Sequence, residues 1–301
     1  MQSVDHISQS IDGVIVRMKD AHDFRFLHEL GKVFTVFDEQ DSGNISFGID
    51  TGKERLFVKY AGAKPIDYSG KPEDAVVRLR DSFPVYEALR HSGLITLREH
   101  FAVSEGYVGV FEWFPGECLH AHWAFTSAEK YIHPDSPSYR HKLLSIEQRL
   151  STLRTIFEFH QHVIRQNFVA IDFYDGSILY DFALHVTKIC DIDCYRRQPY
   201  TNTMGRLWGS TRFMSPEEFE YSATIDEISN VYTMGATAFA LLGGELDRTY
   251  TKWQTRVEFF EVARKATAAD RDQRYLSFDT FLQAWNDAEE EWRRHSNPSH
   301  R

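Results

Sequence analysis

The chain reads as an α+β protein in two parts, strand-rich to about residue 110 and mainly helical beyond. Three observations predict this. Short runs rich in β-branched and aromatic residues, separated by Gly, Asp, Asn and Ser, fill the first part. Phe114-Pro115-Gly116 then breaks the pattern. After it, Ile146, Leu150, Leu153, Phe157 and Ile164 recur at helical spacing, and 231–242 is apolar nearly all round. With 301 residues, 42% of them hydrophobic, the chain can bury a sizeable core as one two-part unit or as two domains.

Residues 1–28 carry no readable motif and are expected to be an N-terminal extension. Lys32–Phe37 and 44–49 read as strands joined by the turn-forming Asp38-Glu39-Gln40-Asp41-Ser42-Gly43. Asp50-Thr51-Gly52-Lys53-Glu54 makes a second turn, and 55–60 a third strand. Pro72-Glu73-Asp74 starts a helix, with proline in the first turn and acids at the positive end of the dipole. Ala75, Leu79, Tyr86 and Leu89 line one face of it, and Pro84 should kink or break it. The runs 95–102 and 106–111 form a hairpin around Ser104-Glu105-Gly106. The helix over 231–242 should be buried, and the charged run from Glu289 should be a solvated tail over 289–301.

A formal net charge of −10 argues against a generic binder of nucleic acid or membrane surfaces, which attract basic proteins. No apolar run approaches the ~20 residues of a membrane span, and the N-terminus lacks a basic stretch followed by an apolar one. Three cysteines, Cys118, Cys190 and Cys194, are too few and too odd for a disulfide framework. They are expected as plain thiols in a reducing, cytoplasmic setting. A zinc site is a weak alternative, since no CxxC or second Cys/His pair accompanies them.

The chemistry concentrates in two stretches. One is Val169-Ala170-Ile171-Asp172-Phe173-Tyr174-Asp175-Gly176-Ser177. The other is Cys190-Asp191-Ile192-Asp193, followed by Gly209-Ser210-Thr211-Arg212-Phe213-Met214-Ser215-Pro216-Glu217. Acids in apolar surroundings are costly unless they meet a cation or a proton donor. Two such acids before a Gly…Ser-Pro-Glu block are hard to explain as packing.

In this order the motifs resemble the protein kinase superfamily over about residues 30–285, and more closely a bacterial serine/threonine-kinase-like family. The resemblance implies a bilobed protein-kinase-like fold, with a β-rich N-lobe over 29–114 and a mainly helical C-lobe over 115–288. It implies ATP and Mg²⁺, with Mn²⁺ as an alternative, and a protein substrate.

Residue by residue, it makes Lys59 the strand lysine that contacts the nucleotide phosphates; taken by itself, Lys59 reads better as a snorkelling surface lysine. The turn with Ser42 and Gly43 stands where GxGxxG usually lies. One glycine still permits close approach, but Asp38, Glu39 and Asp41 would repel phosphate, and a plain hairpin turn is the competing reading. Asp81, next to Ser82, is the candidate helix acid for Lys59. Phe111 takes the gatekeeper position, with the Glu112 carbonyl and Phe114 amide toward adenine.

Asp172 becomes the carboxylate that orients the substrate hydroxyl. Ser177 replaces the usual metal-binding Asn, with Asp175 as a substitute ligand, and Tyr174 replaces the usual Lys. Asp191 becomes the metal ligand, with Asp193 as a second on the same side of an extended segment. Ser210 would reach the catalytic aspartate. Glu217, buried, should pair with Arg274, and Asn230 should hydrogen-bond the catalytic loop. Ile171 stands where many kinases carry a phosphate-binding Arg. Phosphorylation of Tyr200, Thr201 or Thr203 is therefore not expected to be needed to fold the segment.

The expectation is thus an ATP-dependent phosphotransferase of serine/threonine protein kinase type. The alternatives are a nucleotide-binding pseudokinase acting as a signalling scaffold and, less favoured, a small-molecule kinase.

Overall fold

The computed structural model of the chain describes residues 6–296. It is a mixed α+β structure whose backbone divides into two compact units, 1–115 and 116–301.

The first unit contains β1 (Ile7–Ile11), β2 (Val14–Met18), α1 (Leu27–Leu30), β3 (Lys32–Phe37), β4 (Asn44–Asp50), β5 (Arg55–Ala61), α2 (Pro72–Ala88), β6 (Leu97–Val103) and β7 (Gly106–Glu112). Strands β3-β4-β5-β7-β6 form one antiparallel sheet in that order. Alternation divides its side chains between two faces. Ile45, Phe47, Val58, Tyr60, Val108 and Val110 build one core. The opposite face carries Phe57, Lys59, Gly109 and Phe111, and α2 packs there: Phe83 and Tyr86 meet Phe111 at ring distances of 6.4 and 5.1 Å. Gly109 makes room for this, because a Cβ there would lie 2.4 Å from the Phe83 ring.

Two expectations for this unit need correction. The segment from Ile7 to Met18 is no loose extension. It is a hairpin turned at Asp12-Gly13, both at positive φ, and Ile11, Val16 and Met18 join the same core as Val33 and Phe47. Helix α2 also continues through Pro84 without a break. Burial of Phe83, Val85 and Tyr86 beside the proline outweighs the one hydrogen bond it removes. Residues 1–5 of the expected extension lie outside the described residues.

The second unit holds β8 (Glu117–Cys118), α3 (Pro137–Lys142), α4 (Ile146–Arg165), β9 (Phe168–Val169), β10 (Ile178–Asp181), β11 (Val186–Ile189), β12 (Arg196–Arg197), β13 (Tyr200–Thr201), β14 (Thr224–Ile225), α5 (Glu227–Leu242), α6 (Val257–Ala266) and α7 (Phe278–Ser296). Helix α4 starts in a full capping box between Ser145 and Gln148. Helix α5 is buried from Ser229 to Leu242 except at Tyr232, which explains its apolar surface on all sides. Phe157, Phe259, Phe281 and Trp285 join α4, α6 and α7 in one aromatic cluster.

The run from Glu289 is not a solvated tail as far as it is described. It is the last part of α7, and Glu289 is buried against Arg154 and Arg293. Residues 297–301 lie outside the described residues. Among the described residues, no helix is long and apolar enough to cross a membrane.

Candidate functional site

In the second unit the strand pairing brings the two predicted stretches together. The segment 170–177 runs from β9 to β10, and 190–195 runs from β11 to β12. β10 pairs with β11, and β9 pairs with β12. Both segments are therefore tied to each other at both ends. The Cys190 N–H donates to the Ser177 carbonyl at 2.9 Å, which sets Asp191 beside the end of the other segment. Arg196 opposite Val169 closes the far end.

Asp172 and Asp191 both adopt the left-handed region, at φ 66° and 56°. Aspartate tolerates this better than most residues, but it still costs energy, and such strain gathers at functional sites. Asp172 is half-buried and Asp191 exposed. Their charges reach common neighbours. The Tyr195 hydroxyl is pushed well above its usual range, first by burial and then by Asp172 and Asp191. It donates to His160 Nε2 (2.8 Å), because His160 Nδ1 is spent as a donor to the Ile156 carbonyl (2.8 Å). His160 in turn packs edge-on against Phe173 at 4.4 Å and fixes the residue that follows Asp172.

The loop is also pinned from α5. Asn230 accepts from the Ala170 N–H and donates to the Ala170 carbonyl, both at 2.8 Å. One amide thus satisfies both backbone groups two residues before Asp172. From the other side Gly209 packs against Asp172, where a Cβ would be in ordinary contact at 3.4 Å from the Asp172 Cα, and it is its φ of 132° that calls for glycine.

Glu217 and Arg274 are brought together. Arg274 Nη1 and Nη2 donate to the two carboxylate oxygens at 2.7 and 3.0 Å, and the Arg274 side chain is fully buried. Burial raises the Glu217 carboxyl, but the Arg274 bonds outweigh it and hold the group below the usual range. Arg271 also donates to Glu217 and bridges to Asp226 at the start of α5.

Other positions differ from expectation. Asp175 is no spare metal ligand: it is buried, bound by Lys130 and gripped by both terminal nitrogens of Arg212. Arg212 continues to Glu245, which accepts from the Tyr131 hydroxyl. Ser210 Oγ accepts from Arg212 Nε at 3.0 Å, so its recorded partner is this arginine. Asp191-Ile192-Asp193 is not a regular extended run. Asp191 is left-handed and Asp193 sits in a turn closed by Tyr195 N–H to the Ile192 carbonyl. Tyr174 folds its ring over Gly176, where a Cβ would collide at 2.4 Å, and packs with Phe213 and Ala236.

Sequence reasoning missed Lys130, Arg212 and Glu245 altogether. Nothing local marks a lysine in 129–131 as the partner of an acid 45 residues on.

In the first unit Lys59 lies opposite Ser46 and Gly109 on the α2-facing side of the sheet. Asp81 does not turn to that side. It is exposed and bonded to its neighbour Arg80, whereas the buried helix position is Ser82, whose hydroxyl donates to the Leu79 carbonyl. Helical spacing forces this choice, since Ala75, Leu79, Ser82 and Tyr86 occupy one face. Phe111 is buried, Glu112 ends β7 with its carboxylate on Arg98, and Phe114 follows just before the end of the unit.

The three cysteines are free thiols. Cys118 and Cys190 both donate to the Gly176 carbonyl, and burial pushes the Cys118 thiol up to about 12, away from reactivity.

A divalent cation can be tested against these residues. Among the described residues, no three His, Cys, Asp or Glu side chains gather to hold a metal. Mg²⁺ on a nucleotide needs fewer, because phosphate oxygens and waters fill most of its shell. Asp191 with the Ser177 hydroxyl, buried and without a hydrogen-bond partner, fits that smaller set.

Neither a family model nor a curated protein matches the chain.

Proposed function

We propose that this protein is an ATP-dependent serine/threonine protein kinase. The observation that carries the reading is the pair Asp172 and Asp191. They stand on segments locked to each other at both ends, and each is held in a strained backbone conformation. Strain of this kind gathers at functional sites.

On this reading Asp172 accepts a hydrogen bond from the substrate hydroxyl and takes its proton as the oxygen–phosphorus bond forms. The γ-phosphoryl group leaves the bridging oxygen of ADP. Lys59 compensates phosphate charge. Mg²⁺ held by Asp191, with Ser177 at its side, would supply further charge compensation on the phosphates. Asn230, Gly209 and the His160–Tyr195 pair keep Asp172 in place. Ser42 and Gly43 lie in the turn expected to face the phosphates, and the backbone of Glu112 and Phe114 is expected to face the base. Asp193 is the auxiliary carboxylate on this reading.

A second reading has its own support. Asp81 turned outward, with Ser82 in the buried helix position, removes the expected helix acid, and Tyr174 stands where a lysine would add a cation. That favours a pseudokinase that binds nucleotide without transferring phosphate.

The deciding experiment uses labelled ATP with Mg²⁺ or Mn²⁺ on wild type, Asp172→Ala and Asp191→Ala. Label transfer to the protein or a generic substrate, lost in both variants, is the expected result. Thermal stabilisation by ATP without transfer would support the pseudokinase. No effect of nucleotide would defeat both readings.

A further inference from the structure

The N-terminal hairpin does more than fill a core. Val16 and Met18 point into that core, so alternation turns Arg17 away from it and toward the turn between β3 and β4. The Arg17 N–H donates to Asp38 Oδ2 at 2.7 Å. Its guanidinium donates to Asp38 Oδ1 at 3.0 Å and to Glu39 as well. Asp38 is 5% exposed. The two carboxylates hold the Arg17 guanidinium above its already high range.

These are two of the three acids that should repel a phosphate from this turn. The far end of the turn is fixed separately. Arg78 of α2 donates to the Ser42 carbonyl and to the Tyr68 hydroxyl, both at 2.9 Å. Gly43, at φ 86°, lies so close to Tyr68 and Ala75 that a Cβ would stand 2.8–2.9 Å from them.

We propose that the hairpin is a built-in clamp on the turn 38–43, and that Arg17 is the positioning residue that fits this turn to receive nucleotide phosphates. The inference rests on the kinase reading. The clamp does the work that extra glycines do elsewhere, because it neutralises Asp38 and Glu39 and fixes the start of the turn. Removing Arg17 leaves Asp38 buried without its charge partner, so the turn must open to hydrate it.

The test compares wild type with Arg17→Met, which keeps the aliphatic length, and Arg17→Lys, which keeps the charge without the fork. Amide hydrogen exchange over 38–43 reads the clamp without any nucleotide. Calorimetric titration with ATP and with adenosine reads the phosphate contribution. Exchange over 38–43 is expected to rise in Arg17→Met. ATP affinity should fall by about tenfold, equivalent to about 1.4 kcal/mol, while adenosine affinity stays as in wild type. Arg17→Lys should lie between, and it serves alone if the Met variant does not fold.

Unchanged exchange in the variants overturns the clamp. Raised exchange with ATP and adenosine weakened alike, or neither weakened, overturns its role toward phosphates. A wild type that binds neither ligand overturns the kinase reading and with it the phosphate role, and exchange then decides the clamp by itself.

Discussion

Two buried carboxylates of the helical unit, Glu217 and Asp175, face the same physical problem and solve it differently. Glu217 has one principal partner, Arg274, fully buried and in two-pronged contact, with Arg271 and Ser229 donating to it as well. Asp175 sits in a network, with Lys130 on one side and Arg212 on the other, and Arg212 is shared with Glu245 and Ser210. In both cases burial raises the carboxyl and the cations outweigh it, so both groups stay below the usual carboxylate range. The difference lies in reach. The Glu217 pair ties the end of one segment to a turn before α7. The Asp175 network joins the loop after Asp172 to the segment ending in Ser-Pro-Glu.

Breaking either acid separates stability from segment order. Asp175→Ala and Glu217→Ala each strand a buried cation and are expected to cost about 3–5 kcal/mol in urea unfolding. Limited proteolysis should distinguish them. Asp175→Ala releases Arg212 and opens cleavage over 200–212, whereas Glu217→Ala should show its first cuts nearer 217–226. Identical cleavage maps would sink the contrast.

A third carboxylate sharpens it. Among the described residues Glu218 meets no cation and has only the Ser215 N–H and hydroxyl as donors, so burial pushes its carboxyl up to about 7. A raised carboxyl stabilises the fold when protonated. That contribution is present below the ordinary glutamate range and is lost as pH rises through about 7. The helical unit should therefore lose up to about 3 kcal/mol between pH 5 and 8. Glu218→Gln should flatten that pH dependence, and a slope that persists in the variant would count against the assignment.

The smallest expected effect is at Asn230. Asn230→Ala removes two backbone contacts to Ala170 and should cost about 2 kcal/mol. On the kinase reading it should also slow transfer with little change in the KM for ATP. An equal change in both would mean that Asn230 supports the unit as a whole and not the loop.

Much of this was legible in the chain. The strands from Lys32 to Glu112 and the buried helix over 231–242 follow from local pattern, and the pairing of Glu217 with Arg274 follows from the resemblance. The hairpin is legible too. Asp12-Gly13 between Ile11 and Val14 is a strong two-residue turn signal. Asp81 misled because a count along the chain does not say which side of a helix a residue occupies. Packing of Leu79, Ser82 and Tyr86 decides that.

By itself the sequence determined what depends on neighbours along the chain: the two-part α+β organisation and most element positions, while Asp172 and Asp191 entered as candidates through the resemblance. Glu217 and Arg274 apart, only the tertiary structure decided which cation meets which acid. Arg17 goes to Asp38 and Glu39, Lys130 and Arg212 to Asp175, and Asp81 is left at the surface. The reason is physical. A side chain's partner is set by which faces the strands and helices bury, and ion pairs between residues 20 to 60 positions apart leave no periodic trace in the sequence.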